Sequence, residues 1–508
     1  MTVPGGVNRR EFLKATSAAA AAATVAAKAA PGAKPKGRAA RRPNVLVIMS
    51  DEHNASVLGC YGDKIVRTPH MDAIARRGVT FDNCYCNSPL CVPSRLSFTA
   101  GKYASRVGAW SNACWLPSDD IPSLPRILNA AGYQALLCGK MHLDATRRYG
   151  FTEIAKIGNR SHKTGTGRRR KAGDLAPQPG LSNRFDKFHP GESGVLTHDR
   201  QVTRGAVDFL ARRKADDKPF FLLAGYLAPH FPLIVPQKYW DPYKGKVPMP
   251  TIPPGHLESQ PRNYKHLRIG FNVEDVPADI VRKGRELYYG LTQWLDDEIG
   301  KVLAALADSD VADNTVVIYT TDHGENMGEH GLWWKNCVYD SAARVPLMVS
   351  WPARWKGPQR RAGACSLVDL VQTIADLASA DVPDDWNGHS MLGWLDDAGS
   401  VWRDLAVSEY YAHNIASGYA MIRMGRWKYT YHTPADAAHP AERELYDVQA
   451  DPGEFKNLAA VPAHADRVAA MHNALIAELG EHPDETEKRC RADYAKGYGR
   501  GKKARKKK

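Results

Sequence analysis

Four apolar runs in this chain end on charged or metal-binding side chains, and no other feature restricts its fold as much. Residues 44–50 (Asn-Val-Leu-Val-Ile-Met-Ser) are bounded by Pro43 and by charge, the pattern of a strand buried on both faces. They deliver Asp51, Glu52 and His53 at the carboxyl end. Residues 315–321 repeat the pattern and deliver Asp322, His323, Gly324 and Glu325. Residues 134–138 lead into Gly139-Lys140-Met141-His142, and residues 220–224 lead toward Pro229-His230. Helical periodicity is predicted between these runs over 202–213, 277–308 and 367–377. Alternating strands and helices imply a mainly parallel α/β sheet, which binds ligands beyond the carboxyl ends of its strands.

A single Asp after a strand ordinarily caps the next loop or helix. Two apolar strands, each followed by Asp and then by Glu or His, are harder to explain that way. Several acids converging in one crevice repel one another unless a cation neutralises them, so the spacing implies a divalent metal. Spacing alone therefore predicts an α/β metallohydrolase.

The net charge of +14, from 69 Lys/Arg against 55 Asp/Glu, raises the question of a nucleic-acid partner. Residues 1–43 hold nine Lys/Arg and one Glu, residues 491–508 hold nine Lys/Arg and one Asp, and the segment between carries −2. A nearly neutral body between two basic ends lacks the continuous positive face of a nucleic-acid binder. With 43% hydrophobic and 24% charged residues among 508, a sizeable core is expected rather than wholesale disorder or a polytopic membrane protein. Residues 489–508 read as a basic, disordered, solvated tail, with weak anchoring to an anionic surface as the lesser reading. Residues 160–171 read as a basic surface loop, a solvated insertion ahead of a glycan receptor. Tyr288, Tyr289 and Trp294 lie on one helical pattern and read as core packing. The nine cysteines are odd in number and too sparse for a disulfide scaffold, and Cys84-Tyr85-Cys86 lacks zinc-knuckle spacing.

Asn8-Arg9-Arg10-Glu11-Phe12-Leu13-Lys14, followed by an Ala-rich stretch to Ala27, resembles a twin-arginine export signal. Asn8 departs from the usual Ser or Thr. The apolar stretch falls short of the about 20 strongly apolar residues of a membrane span, so no transmembrane segment is expected in the mature chain. The resemblance implies a signal peptide over 1–30, a linker over 31–43, the twin-arginine translocase as partner, and a periplasmic or secreted product of a bacterium.

Pro89-Leu90-Cys91-Val92-Pro93-Ser94-Arg95-Leu96-Ser97-Phe98-Thr99-Ala100-Gly101 is the most specific segment. Cys-x-Pro-Ser-Arg followed by Thr-x-Gly resembles the signature of the sulfatase family, in which the cysteine is oxidised to formylglycine before folding finishes. The resemblance extends over roughly residues 43–460. It takes in Pro43-Asn44-Val45-Leu46, Thr68-Pro69-His70-Met71-Asp72, Gly139-Lys140-Met141-His142-Leu143, and Asp322-His323-Gly324-Glu325 with Gly328-Glu329-His330-Gly331 and Trp334-Lys335. Trp427-Lys428-Tyr429 and Glu444-Leu445-Tyr446-Asp447 are similar to the family's C-terminal portion. The fold implied is α/β, a large, mostly parallel mixed sheet between helices as in alkaline phosphatase, over 44–390. A smaller α+β domain with an antiparallel sheet follows over 391–488.

The same resemblance implies the chemistry. Hydrated formylglycine at position 91 would attack sulfur, and its formation calls for a formylglycine-generating enzyme as partner. Asp51, Glu52, Asp322 and His323 would hold one divalent metal together with the oxygen of residue 91. Glu52 stands where Asp or Gln is more usual and His323 where many relatives have Asn. Calcium is expected first, and Mn²⁺ is the alternative that an imidazole favours. Lys140 and Lys335 would neutralise the sulfate oxygens, Arg95 would orient the nucleophile, His142 would accept a proton from the diol, and His230 would donate one to the leaving alcohol. The expected reaction is hydrolysis of a sulfate ester, on a sulfated carbohydrate or another sulfate ester. Two rivals stand beside it: a phosphonate monoester or phosphodiester hydrolase of the same superfamily, and a non-catalytic binder of sulfated glycan should Cys91 remain a thiol.

Overall fold

The computed structural model describes residues 42–143, 146–155, 157, 169–177 and 179–497. The expected signal peptide, nearly all of the linker, most of the basic loop at 160–171 and the last eleven residues lie outside the described residues. Fourteen strands occur among those described: β1 Asn44–Asp51, β2 Val79–Tyr85, β3 Gln134–Gly139, β4 Thr152–Glu153, β5 His189–Pro190, β6 Phe220–Pro229, β7 Ile234–Val235, β8 Thr315–Thr321, β9 Arg344–Ser350, β10 Gln359–Ser366, β11 Leu405–Tyr410, β12 Tyr419–Met424, β13 Trp427–His432 and β14 Glu442–Asp447. Eight of them form one sheet in the order β10-β2-β9-β8-β1-β6-β3-β4. β9 alone in that sheet is antiparallel to its neighbours.

β1 lies between β8 and β6, and all eight of its residues are buried. Its side chains alternate between two cores, as the two-residue period of a strand requires. Val45, Val47 and Met49 join the core beneath helices Cys91–Ala100 and Leu367–Leu377, while Leu46 and Ile48 join the core beneath Pro69–Arg76, Gly194–Leu210 and Ala278–Ala307. A strand covered on both faces has no position for polar side chains until it emerges from the sheet, so its ionic residues collect at the end.

Sheet order then sets the arrangement of those ends. Asn44 to Ser50 pair in parallel register with Thr315 to Thr321, and Asp51 lies opposite Pro229 after a register shift. Along the carboxyl edge the chain therefore places Asp322 and His323, then Asp51 and Glu52, then His230, then Lys140 and His142. Gly225 on β6 makes the last step possible: a Cβ there would overlap the Lys140 carbonyl, and Lys140 N donates to Gly225 O at 2.7 Å.

The second sheet, β11-β12-β13-β14, is antiparallel throughout. One face carries Val407, Ile422, Tyr429 and Leu445 against Met471, Leu475 and Leu479 of helix Ala465–Leu479; the other carries Tyr410, Tyr419 and Met421 into the core of the large sheet. Two expected boundaries shift. Met391, Trp394 and Leu395 pack in the large-sheet core, so the small sheet begins only at Leu405. Helix Pro483–Ala495 carries through the start of the expected tail at 489. Pro483 in its first turn, Asp484 and Glu485 at the positive end of its dipole, and Cys490 buried beside Trp110 and Tyr411 account for that helix. Among the described residues no helix is long and apolar enough to cross a membrane, and all nine cysteines are free thiols.

Replacing Leu46, fully buried on the central strand, by Ala should cost about 2–5 kcal/mol. The midpoint of chemical denaturation measures this.

Candidate active site

Cys91 opens helix Cys91–Ala100 from an extended Leu90, and all ten residues of that helix are buried. One turn on, Arg95 is completely enclosed. Its Nε donates to Asp322 Oδ2 at 2.7 Å, Nη2 to Asp51 Oδ2 at 2.9 Å and to Ser50 O at 3.0 Å, and Nη1 to Lys140 O at 2.9 Å. Ser94 Oγ adds a bond to Asp322 O at 2.7 Å. The helix that carries Cys91 is thus fastened to the ends of β1, β3 and β8.

Glu52 turns back over the site through a left-handed backbone, φ 62°. Its N–H donates to Asp322 Oδ1 at 3.2 Å and its carbonyl accepts from the Tyr288 hydroxyl at 2.7 Å. Tyr288 packs in the core, and its hydroxyl also supports the site. Lys335 Nζ donates to Glu52 Oε2 at 3.1 Å and to His230 Nε2 at 2.8 Å. Nδ1 of His230 faces the Phe231 carbonyl and so carries the ring proton. Lys140 Nζ contacts Asp51 Oδ2.

Charge in this cluster is arranged by sign. Burial raises the Asp51 carboxyl, but Lys140, His230, Arg95 and Lys335 outweigh it and hold the group well below the usual carboxylate range. Burial pushes Glu52 up to about 8 against the pull of Lys335. Burial also opposes the Lys335 charge, yet Cys91, Glu52 and Asp51 raise that ammonium above its ordinary value. Burial and the adjacent Lys335 hold His230 well below the imidazole range. Burial pushes the Cys91 thiol up to about 12, so an unmodified sulfur here is protonated at neutral pH.

The donor set fits a divalent cation. One ligand atom each from Asp51, Cys91, Asp322 and His323 lie within 4.8 Å of one another, as do those of Asp51, Glu52 and His230. Nδ1 of His323 donates to Gly324 O at 3.0 Å, leaving Nε2 as the lone-pair atom, 3.2 Å from Cys91 Sγ. Oε1 of Glu52 is buried with no hydrogen-bond partner among the described residues, an orphaned acceptor that a cation would satisfy.

A cleft of about 670 Å³ opens above this floor. Glu52, Cys91, Lys140, His142, His230 and Lys335 line it, while Arg95, Asp51, Asp322 and His323 lie buried beneath. The structure therefore gathers all ten residues singled out from the sequence. The upper wall is another matter: Asn112, Arg184, Phe231, Phe271, His413 and Asn414 were not singled out. They sit in loops or at element ends, where no periodicity or motif marks them; only Trp334, beside Lys335, had a flanking signal.

A family model described as sulfatase matches residues 43–380. The chain belongs to the sulfatase family. A second model, N-sulphoglucosamine sulphohydrolase, C-terminal, matches residues 328–481 and so takes in the small antiparallel sheet. A choline-sulfatase of Rhizobium meliloti (strain 1021) is 30% identical over 454 residues, 83% of this chain and 83% of that one. Among solved structures, a phosphonate monoester hydrolase of Agrobacterium radiobacter superposes with TM-score 0.70 at 22% identity, covering 86% of this chain and 95% of that one. A protein solved with its substrate D-glucosamine-2-N,6-O-disulfate gives TM-score 0.66 at 23% identity, covering 89% and 99%. The sulfatase described here is a hydrolase of sulfate esters with an alkaline phosphatase-like fold.

Replacing Arg95 by Ala leaves the buried Asp322 carboxylate without its cation, removes one of the two cations on Asp51 and should destabilise this sulfatase by about 3–5 kcal/mol. Arg95→Lys should recover little, because one ammonium cannot span partners on three strands; thermal unfolding of the two variants tests both expectations.

Proposed function

We propose that the enzyme hydrolyses the sulfate ester of a sulfated carbohydrate, with formylglycine made from Cys91 as its nucleophile. The observation that carries this reading is that Cys91 lines the cleft together with Lys140 and Lys335, with its sulfur within 4.8 Å of ligand atoms of Asp51, Asp322 and His323 at the strand ends. A formylglycine-generating enzyme passes two electrons and two protons from the Cys91 side chain to an external oxidant such as dioxygen. The C–S bond breaks with sulfur leaving as hydrogen sulfide, oxygen takes its place as the aldehyde, and water hydrates the aldehyde to a diol.

One hydroxyl, its proton released to water in the cleft, attacks sulfur and forms a new S–O bond. The sugar oxygen leaves with the electron pair of the old bond and takes a proton held by the His230–Lys335 pair. The second hydroxyl then gives its proton to His142, its oxygen closes to a carbonyl, and the C–O bond to sulfate breaks with its electrons leaving on sulfate. Net consumption is one water per ester. Lys140 and Lys335 hold the sulfate oxygens as negative charge builds on them, and Arg95 fixes the helix that aims residue 91. A divalent cation, calcium first and Mn²⁺ as the alternative, would be held by Asp51, Glu52, Asp322 and His323 and would supply positive charge that favours the ionised hydroxyl.

The likeness to a phosphonate monoester hydrolase supports a second reading, cleavage of phosphonate monoesters or phosphodiesters. Turnover of an aryl sulfate against an aryl phosphonate on one preparation decides between them; faster phosphonate cleavage would overturn the sulfatase assignment of this site's main activity. We further propose export through the twin-arginine translocase to the periplasm or beyond, on the strength of Arg9-Arg10 and the Ala-rich stretch.

Cys91→Ala should lower kcat by about 10³-fold or more with the fold intact. In active wild-type protein the peptide containing residue 91 should react with hydrazides, and a plain thiol there refutes the mechanism. Chelation should abolish activity, with calcium restoring it more fully than manganese.

A further inference from the structure

The cleft above Cys91 is large enough for a sugar residue around the scissile ester, and its upper wall holds one more cation. Lys140 and Lys335 on the floor are engaged with Asp51 and Glu52. Arg184 is not engaged in this way: no carboxylate or carbonyl among the described residues pairs with its guanidinium. It is enclosed by rings instead, with Cζ 4.4 Å from the Trp334 centroid, 5.3 Å from Phe271 and 5.6 Å from Phe231. Aromatic faces stabilise the charge without using the N–H donors. A half-buried fork of unused donors, drawn out of water beside a substrate cleft, is suited to an anion that accepts two of them at once.

The loop holds this group in place before any ligand arrives. Ser182 N donates to Asn272 O at 3.0 Å on one side of Arg184, and on the other Phe185 packs 5.2 Å from Trp333 and 5.9 Å from Trp334. Trp334, whose ring lies 4.4 Å from the guanidinium, directly precedes Lys335, so one short segment supplies both the aromatic support of Arg184 and an ammonium of the cleft. Little conformational freedom remains to be lost on binding.

We infer that Arg184 determines specificity by binding a second anionic group of the substrate, a carboxylate or another sulfate, carried beside the ester that is cleaved. This deepens the sulfated-carbohydrate reading and rests on it: the substrate class becomes doubly anionic saccharides, either sulfated uronates or disulfated sugars. A sulfate ester carrying a quaternary ammonium would meet repulsion at the same place.

The test measures binding by calorimetry to the Cys91→Ala protein, alone and combined with Arg184→Gln or Arg184→Lys. One pair of ligands is N-acetylglucosamine 6-sulfate, whose amide is uncharged, and glucosamine 2-N,6-O-disulfate; another is a uronate 2-sulfate and its carboxyl-reduced counterpart. The doubly charged member should bind about 10- to 100-fold more tightly. Arg184→Gln should erase that advantage, and Arg184→Lys should keep part of it. The pair that shows the effect identifies the anion as sulfate or carboxylate. Phenyl sulfate against its three carboxyphenyl isomers repeats the comparison without a sugar, so failure of every saccharide to bind counts against the carbohydrate reading while the aryl series still judges Arg184. Equal weakening of singly and doubly charged ligands by Arg184→Gln, or no advantage for the second charge in the parent protein in either series, overturns the inference.

Discussion

One buried guanidinium sets the geometry on which the rest of the site depends. Arg95 reaches the ends of β1, β3 and β8 at once, through two carboxylates and two carbonyls, and it does so from the second turn of the helix that begins at Cys91. An ion pair in an apolar interior gains stability only when its partners satisfy nearly all of its hydrogen-bonding capacity. Arg95 meets that condition because the strands end together. The sheet therefore fixes the position of Arg95, and Arg95 fixes the angle at which residue 91 enters the cleft.

The acids around it would repel if they stood alone. Asp51 is instead flanked by Arg95 and Lys140, and Glu52 by Lys335, so each carboxylate has a cationic neighbour. Compensation is incomplete at Glu52 Oε1, and Asp51 belongs to both candidate ligand groups, one with Cys91, Asp322 and His323 and one with Glu52 and His230. A cation in this region would complete a charge pattern already present in the chain, and by taking over Asp51 and Glu52 it would release Lys140 and Lys335 from those carboxylates to answer the charge of an incoming sulfate.

The floor of the site was legible in the sequence because doubly buried parallel strands are apolar throughout and must place their ionic groups at their ends. Residues 44–51 and 315–323 show this without any knowledge of the fold, and the segment from Pro89 to Gly101 adds a chemical motif. Strand order was not legible: β6 lies beside β1 although some 170 residues separate them in the chain, because pairing depends on crossovers that no local pattern records. Arg184, His413 and Asn414 were missed for a similar reason, since loop residues gain meaning only from what the fold sets opposite them. The C-terminal helix was missed because Pro-Asp-Glu-Thr-Glu-Lys-Arg-Cys-Arg is polar on nearly every face, and Cys490 is its one strongly apolar anchor.

Cys91 is 1% exposed, and every residue of its helix is enclosed. On the proposed chemistry this seclusion has a temporal consequence. Another enzyme can reach the sulfur only while the chain is still open, so oxidation and collapse compete for each newly made molecule. A copy that collapses first is sealed in an inert form that looks native by every measure of shape. The catalytic capacity of a preparation then records the outcome of that race, and two batches of equal purity and stability can differ in turnover according to how fast each was synthesised.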